Sequence, residues 1–493
     1  MTSPTSVEDG ATPGTAIELE PKNGFDRFFE ITKRGSTVAR EIRGGFATFF
    51  AMVYIVVLNP LILSSSDGSG HALGIARVAA MTAVVSGVMT ILMGLIARYP
   101  FALSAGLGVS GFVSATIATT KNLTWPDVMG LVLLSGIIMF ILVLVGFREA
   151  VFRAVPSGLK LAIVAGIGLF IATIGFVDAG FIRRVPDAAH TTVPVSLGIG
   201  GNLLGWPTFV FVIGLIAMII LTVKKVPGAI LIGIIGTTIL AMIVQAVTHT
   251  PSSETSPTGW ALSIPVVPSK IISVPDLSLF AQVNIVGAFT SIGFISASLL
   301  TFTILLTVFF DAMGTMTGLA SQAGLLDKDN NFRNANPVLL VDAAASGVGG
   351  LASISSGEIF VESAAGIGEG ARTGFASVVT GVLFLLISLF APLAGIVPFE
   401  AVGPALVIVG FMMVTHVKDI DWGDFGIAIP AFLTIILMPM TYSIANGLGA
   451  GFIAFVIIRL IQRRAKEIHL LMYVVSAAFV VFFGVGVIEG WMA

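Results

Sequence analysis

Asp311 interrupts the apolar run "TFTILLTVFFDAMGTMTGLA", and Glu358 and Glu362 fall in the Gly/Ser-rich stretch "SISSGEIFVESAAGIGEGARTG". A carboxylate near the middle of a bilayer costs roughly 2.5–3.5 kcal/mol on insertion scales, and acids kept there usually mark ion paths, proton paths or polar ligands. An acid escapes that cost when it binds a proton. Asp311 therefore reads as a group whose charge is conditional, suited to exchanging a proton once per cycle. Thr315, one turn on, shares its helical face. Glu362 stands just before an Ala-Gly break, where backbone N–H groups come free. A carboxylate there can accept ring N–H or exocyclic amine donors of a flat polar ligand, while the free N–H groups donate to its carbonyl oxygens or ring nitrogens. Glu358 lies four residues earlier. It shares that site if the intervening chain is helical, and the sequence leaves this open. Glu369, close to Arg372, reads as a salt-bridged rim residue, and Asp342 sits near the start of another segment. Asp178, Glu400, Asp419 and Asp421 fall at segment ends, where a solvated face is expected.

Other chemistries find little footing. Cysteine is absent, which removes disulfides, thiolate metal sites and a cysteine nucleophile together. His71, His190, His249, His416 and His469 stand in loops or at segment ends, so no metal set or Ser-His pair falls within apolar sequence, and no cofactor is expected. There is no Gly-x4-Gly-Lys-Ser/Thr motif to bind ATP. With 25 basic and 27 acidic residues the charge is balanced, which gives no footprint for nucleic acid.

The elements that must hold these acids are membrane helices. The chain of 493 residues is 56% hydrophobic and 11% charged, against roughly 25% charged in soluble proteins. Apolar runs long enough to cross about 30 Å of hydrocarbon recur at 44–66, 76–97, 127–147, 158–177, 206–223 and 227–248, then at 297–323, 372–394, 400–417, 425–443, 446–463 and 469–489. Three segments, 99–120, 336–351 and 354–371, are shorter or broken by Gly, Ser and Pro. With the N-terminus cytoplasmic, all Lys and Arg fall in inside loops except Arg77, Lys121, Arg183, Arg184 and Lys270, as the positive-inside rule requires. No basic residue follows Lys466, so whether 469–489 crosses stays open. No signal peptide is expected, and the first apolar segment should itself insert.

The polar stretch 249–268 divides the chain into halves. The third segment of the first half, "YPFALSAGLGVSGFVSATIATT", and its counterpart in the second both carry Ala-Gly-x-Gly: Ala105, Gly106 and Gly108, then Ala365, Gly366 and Gly368. Interior glycines weaken a helix by about 1 kcal/mol each. Irregular backbone at membrane depth survives only when buried in protein or facing a watery cavity. Paired broken segments at matching positions point to a transporter site at a repeat interface.

The runs "REIRGGFATFFAMVYIVVLNPLIL", "FFDAMGTMTGLASQAGLLD", "VESAAGIGEGARTGFASVVTG" and "AFLTIILMPMTYSIANGLGAGFIAF" resemble the adenine/guanine/hypoxanthine permease (AzgA-like) branch of the nucleobase:cation symporter-2 family, from about residue 25 to 465. The resemblance implies an all-α polytopic fold of fourteen helices in a seven-plus-seven inverted repeat. It implies core and gate domains, with short strands in the third and tenth segments. The expected division is a cytoplasmic arm 1–43, repeats 44–248 and 296–466 flanking an extracellular loop 249–295, and a C-terminal apolar segment 467–493. It also implies import of a purine nucleobase with protons through the plasma membrane, and a homodimer in the lipid bilayer. Another nucleobase or an anion on the same architecture is the alternative. Asp311 matches the family's proton-coupling acid, Thr315 the position one turn later, and Glu362 the base-binding glutamate. Ser110, Phe112 and Ser363 complete the expected contacts. The sequence departs from typical purine members at Ser110, where a side-chain amide is usual, at Val308, where another acid is common, and at Glu358.

Overall fold

The computed structural model describes residues 23–492 except 121, 147–153, 185–194, 227, 254, 262–263, 267–269 and 326–334. The chain first lays a short helix, α1 (Gly24–Phe29), then enters the membrane through α2 (Val38–Met52) and α3 (Ile55–Ile62), two halves of one apolar span offset at Val53 and Tyr54. Asn23 and Thr37 cap α1 and α2, their side chains accepting from Asp26 N and Arg40 N. The first half continues with α4 (Ile75–Leu92), β1 (Leu103–Ala105), α5 (Leu107–Thr119), α6 (Trp125–Leu144), α7 (Ser157–Asp178), the hairpin β2 (Ile182–Arg184) and β3 (Val195–Leu197), α8 (Trp206–Val223) and α9 (Ala229–Thr248).

After the polar loop and a short α10 (Gly287–Ser291), the order repeats. It runs α11 (Phe294–Ala323), α12 (Ala335–Leu351), β4 (Gly357–Ile359), α13 (Ser363–Gly368), α14 (Gly374–Ile387), α15 (Phe399–Val414), α16 (Phe425–Met440) and α17 (Ile444–Ile461). The two series of seven segments match, and each has a strand and half-helix in its third place. Both broken segments fold as the glycines predict.

Segment 336–351, read as shorter or broken, is short and continuous: α12 is one helix of 17 residues. Its glycines serve close packing of the small-residue kind instead. A Cβ on Gly136 of α6 would lie 2.4 Å from Gly347, and one on Gly350 would lie 2.5 Å from Leu133 N.

The helices sort into two packets. One holds α2–α6 and α11–α14, joined by α6 on α12 and by α2 and α4 on α14. The other holds α7–α9 and α15–α17, built around α7 against α15 and α16. There Gly168 and Gly410 approach so closely that a Cβ on either would sit within 2.7 Å of the other's carbonyl oxygen. A final helix, α18 (Leu470–Met492), lies along α17 and α11, with the Phe479 ring edge-on to Phe452 at 6.1 Å and tilted against Phe302 at 6.0 Å. Its 23 residues make it about 34 Å long.

Loops that alternate along the chain collect at two opposite ends. Arg34 of the N-terminal arm donates to the Arg98 and Arg372 carbonyls, and Arg43 pairs with Glu369 at 2.8 Å. At the other end Trp125 N donates to Asp67 and Asn284 to Asp127. Glu369 is thus a rim residue, paired with Arg43. The Arg372 guanidinium turns back to the Ile367 and Ala371 carbonyls and satisfies the end of α13.

Candidate functional site

The two broken segments meet. β1 and β4 pair antiparallel, Leu103 opposite Ile359, Ser104 opposite Glu358 and Ala105 opposite Gly357. α5 leaves from the end of β1 and α13 from the end of β4, so two helix starts flank a three-residue ladder buried inside one packet. So short a ladder cannot satisfy its surroundings alone, and Ser and Thr hydroxyls complete it. Thr90 bonds both the N–H and the carbonyl of Leu103, and Ser86 meets Ser104 at 2.6 Å. Ser363 Oγ accepts from Ala102 N, and Gly106 N donates to Ser356 O at 2.7 Å. Buried polar backbone in an apolar medium demands this accounting.

Glu362 occupies the bend between β4 and α13. It is partly buried, next to a half-exposed Val361, and its Oε1 accepts the Tyr54 hydroxyl at 2.5 Å. Tyr54 is wholly buried at the offset between α2 and α3. The break in the first span thus aims a phenol at the break in the tenth. Glu358 faces elsewhere. It is a strand residue rather than a helical neighbour of Glu362, and its carboxyl lies against the start of α5, where a Cβ on residue 106 would sit 2.3 Å from its Cδ. Only glycine admits that acid.

Ser110 is fully buried and donates to Asn59 Oδ1 at 2.7 Å. Asn59 in turn donates to Thr82 and to the Ile354 carbonyl just before β4. The side-chain amide missing at position 110 is therefore present nearby, on α3, bridging both broken segments. Phe112 is buried on α5, and Ser363 is committed to Ala102.

α11 runs past this ladder, touching β4, α13 and α5. Its Thr307 lies 3.7 Å from where a Gly108 Cβ would be. Position 311 follows one turn later, and the side chain of Asp311 lies outside the described residues. Thr315 is partly buried on the same helix. No group of three His, Cys, Asp or Glu placed to hold a metal occurs among the described residues.

Tyr54 and Asn59 escaped the sequence reading. The available signal was polar side chains inside the run "FFAMVYIVVLNP", one of them among only four tyrosines in the chain. The arrangement suits a flat polar ligand: a carboxylate and a phenol meet where irregular backbone crosses the interior.

Comparison with known proteins gives the same direction. The Xan_ur_permease profile, described as "Permease family", matches residues 39–450. The chain is 38% identical over 464 residues to the guanine/hypoxanthine permease PbuG of Bacillus subtilis, covering 92% of this chain and 98% of that one. It is 31% identical over 457 residues to the adenine permease AdeQ of Escherichia coli, covering 92% and 95%. Among solved structures, the transmembrane domain of the cyanobacterial bicarbonate transporter BicA superposes with a TM-score of 0.54 at 15% identity, over 84% of this chain and 97% of that one. That likeness speaks to fold alone.

Proposed function

The chain belongs to the Xan_ur_permease family of permeases, and from that premise we propose that it imports a purine nucleobase of the hypoxanthine, guanine or adenine type, coupled to protons, by alternating access. The observation that carries this reading is Glu362. Its carboxylate is oriented by Tyr54 at the chain break between β4 and α13, a group of the kind that accepts the N–H donors of a base. The names of PbuG and AdeQ supply the substrate class. In this reading Asp311 and Thr315 on α11 line the same site and Asp311 exchanges the proton, while Ser110, Phe112 and Ser363 shape its floor.

The two packets act as the core and gate expected of the repeats 44–248 and 296–466, with α7 and α17 moving against α5 and α11. Basic loops orient the N-terminal arm to the cytoplasm, in a plasma membrane and as a homodimer. The test is uptake of labelled hypoxanthine into proteoliposomes under an imposed inward proton gradient, with adenine, guanine, xanthine and uracil as competitors. Gradient-driven uptake blocked by purines is expected. Uptake that ignores the gradient or excess purine would overturn the reading.

A further inference from the structure

A cavity with a largely apolar lining and a few polar groups lies on the seam between the packets, and Glu362 is not among its lining residues. It holds about 140 Å³, the share of roughly four to five liquid waters and the scale of one bicyclic heterocycle. Its walls come from both packets: Leu61 at the end of α3, Ser65 just beyond it, and Ser114 on α5, facing Asp178 at the end of α7, Phe399 at the start of α15, and Tyr442 between α16 and α17. Leu61 is seven residues past Tyr54, about 10 Å along the span, and Ser114 is one turn past Ser110. The cavity therefore sits between the Glu362 site and the end of the molecule opposite the N-terminal arm.

Ser65 Oγ is buried without a hydrogen-bond partner among the described residues, an exception that calls for an occupant, and the partly buried Asp178 and Tyr442 stand on the same cavity wall. Tyr442 is set there by the end of α16: its backbone is left-handed, φ 52°, and its N–H and that of Ser443 donate to the Pro439 and Met438 carbonyls, closing the helix. The set is complementary to a neutral nitrogen heterocycle. A carboxylate accepts its ring N–H or amine, hydroxyls serve its carbonyl or ring nitrogen, and Phe399 with Leu61 covers its faces.

We propose that this cavity is a waiting site on the far side of the gate, where Asp178, Tyr442 and Ser65 hold the base before it reaches Glu362. The inference rests on the nucleobase reading above. Because the chain has no cysteine, Ser65→Cys supplies a single reporter, labelled by a membrane-impermeant methanethiosulfonate in reconstituted full-length protein. Hypoxanthine is expected to slow the labelling. Asp178→Asn should raise the concentration giving half protection about 10-fold, the loss expected for one hydrogen bond to a charged group. Glu362→Gln should leave that protection in place. Ser114→Cys reads the same cavity from the other wall and should behave alike.

Labelling indifferent to saturating hypoxanthine at both reporters, in protein that still takes hypoxanthine up, would overturn the waiting site. So would protection that survives Asp178→Asn but vanishes with Glu362→Gln. Failure of the unsubstituted chain to take up any purine would instead overturn the nucleobase reading, and the two failures are thereby told apart.

Discussion

Replacing Tyr54 by Phe removes one oxygen and nothing else of consequence: the ring remains in its wholly buried place, and the lost hydroxyl has one recorded partner, Glu362 Oε1. At 2.5 Å the contact falls in the range of an O–H donor on a carboxylate. A hydrogen bond to a charged group contributes about 1.5–3 kcal/mol, or roughly 10- to 150-fold in a binding constant. Glu362 is only partly buried, so water can replace some of what is lost, and the lower figure applies. Tyr54→Phe should weaken hypoxanthine binding about 10-fold. Glu362→Gln should cost about 100-fold or more, because it removes the charge and turns one of the two acceptor oxygens into an NH2 that must face either the Tyr54 hydroxyl or the ligand's own N–H.

The double variant decides whether these are one interaction. If Tyr54 acts by holding Glu362, Tyr54→Phe adds little once Glu362 is Gln, and the double variant binds within about 3-fold of Glu362→Gln alone. Equilibrium binding of labelled hypoxanthine to purified protein measures all four corners of the cycle. Losses that multiply would refute the argument, because Tyr54 would then act on the base directly or through packing. A silent Tyr54→Phe would refute it from the other side.

Asp311→Asn should abolish accumulation of base against its gradient while leaving exchange of internal for external base, and concentrative uptake by that variant would remove Asp311 from the coupling. Gly106→Ala drives a Cβ to 2.3 Å from the Glu358 carboxyl, whereas Gly236→Ala meets nothing within 4 Å. The first should lower thermal stability in detergent and uptake together, the second neither, and equal behaviour of the pair would contradict the packing described. Asp424 is held below the ordinary carboxylate range by hydrogen bonds from Arg459, partly opposed by burial and aided by the Gly426 N–H. A depressed folded value means stability present above about pH 4 that is lost as pH falls through that value. Melting of the unsubstituted protein should therefore drop below pH 4 more steeply than that of Asp424→Asn, and parallel curves would show that the pair contributes nothing. Ser110→Ala leaves Asn59 Oδ1 without its donor and should cost about 1–3 kcal/mol of stability, read as a lowered unfolding midpoint, and no change would mean water takes over.

What could be read from the chain alone follows from the bilayer's severity as a solvent. Asp311, Glu358 and Glu362 stood out because charge in an apolar run is costly, and the two Ala-Gly-x-Gly stretches because glycine there weakens a helix. Both stretches became strand and half-helix. At 336–351 the glycines have a different part and report how closely α12 approaches α6. Composition does not distinguish a glycine that breaks a helix from one that seats a neighbour.

Tyr54 and Asn59 were hidden for a different reason. A phenol or an amide in an apolar run is mild enough to pass as packing, and what gives each its role is a partner far along the chain: Glu362 lies 308 residues from Tyr54, and Ile354 lies 295 from Asn59. Periodicity reports a residue's face on its own helix and nothing about which face it meets. Asp178 shows the same limit at a segment end, where a solvated carboxylate is the natural expectation and the fold instead sets it on a cavity wall with Phe399 and Tyr442. The inverted repeat makes such meetings inevitable, because it brings the first span of one half against the broken tenth segment of the other. In this architecture the isolated acids are found one segment at a time, while the groups that orient them are found only once the two halves are crossed.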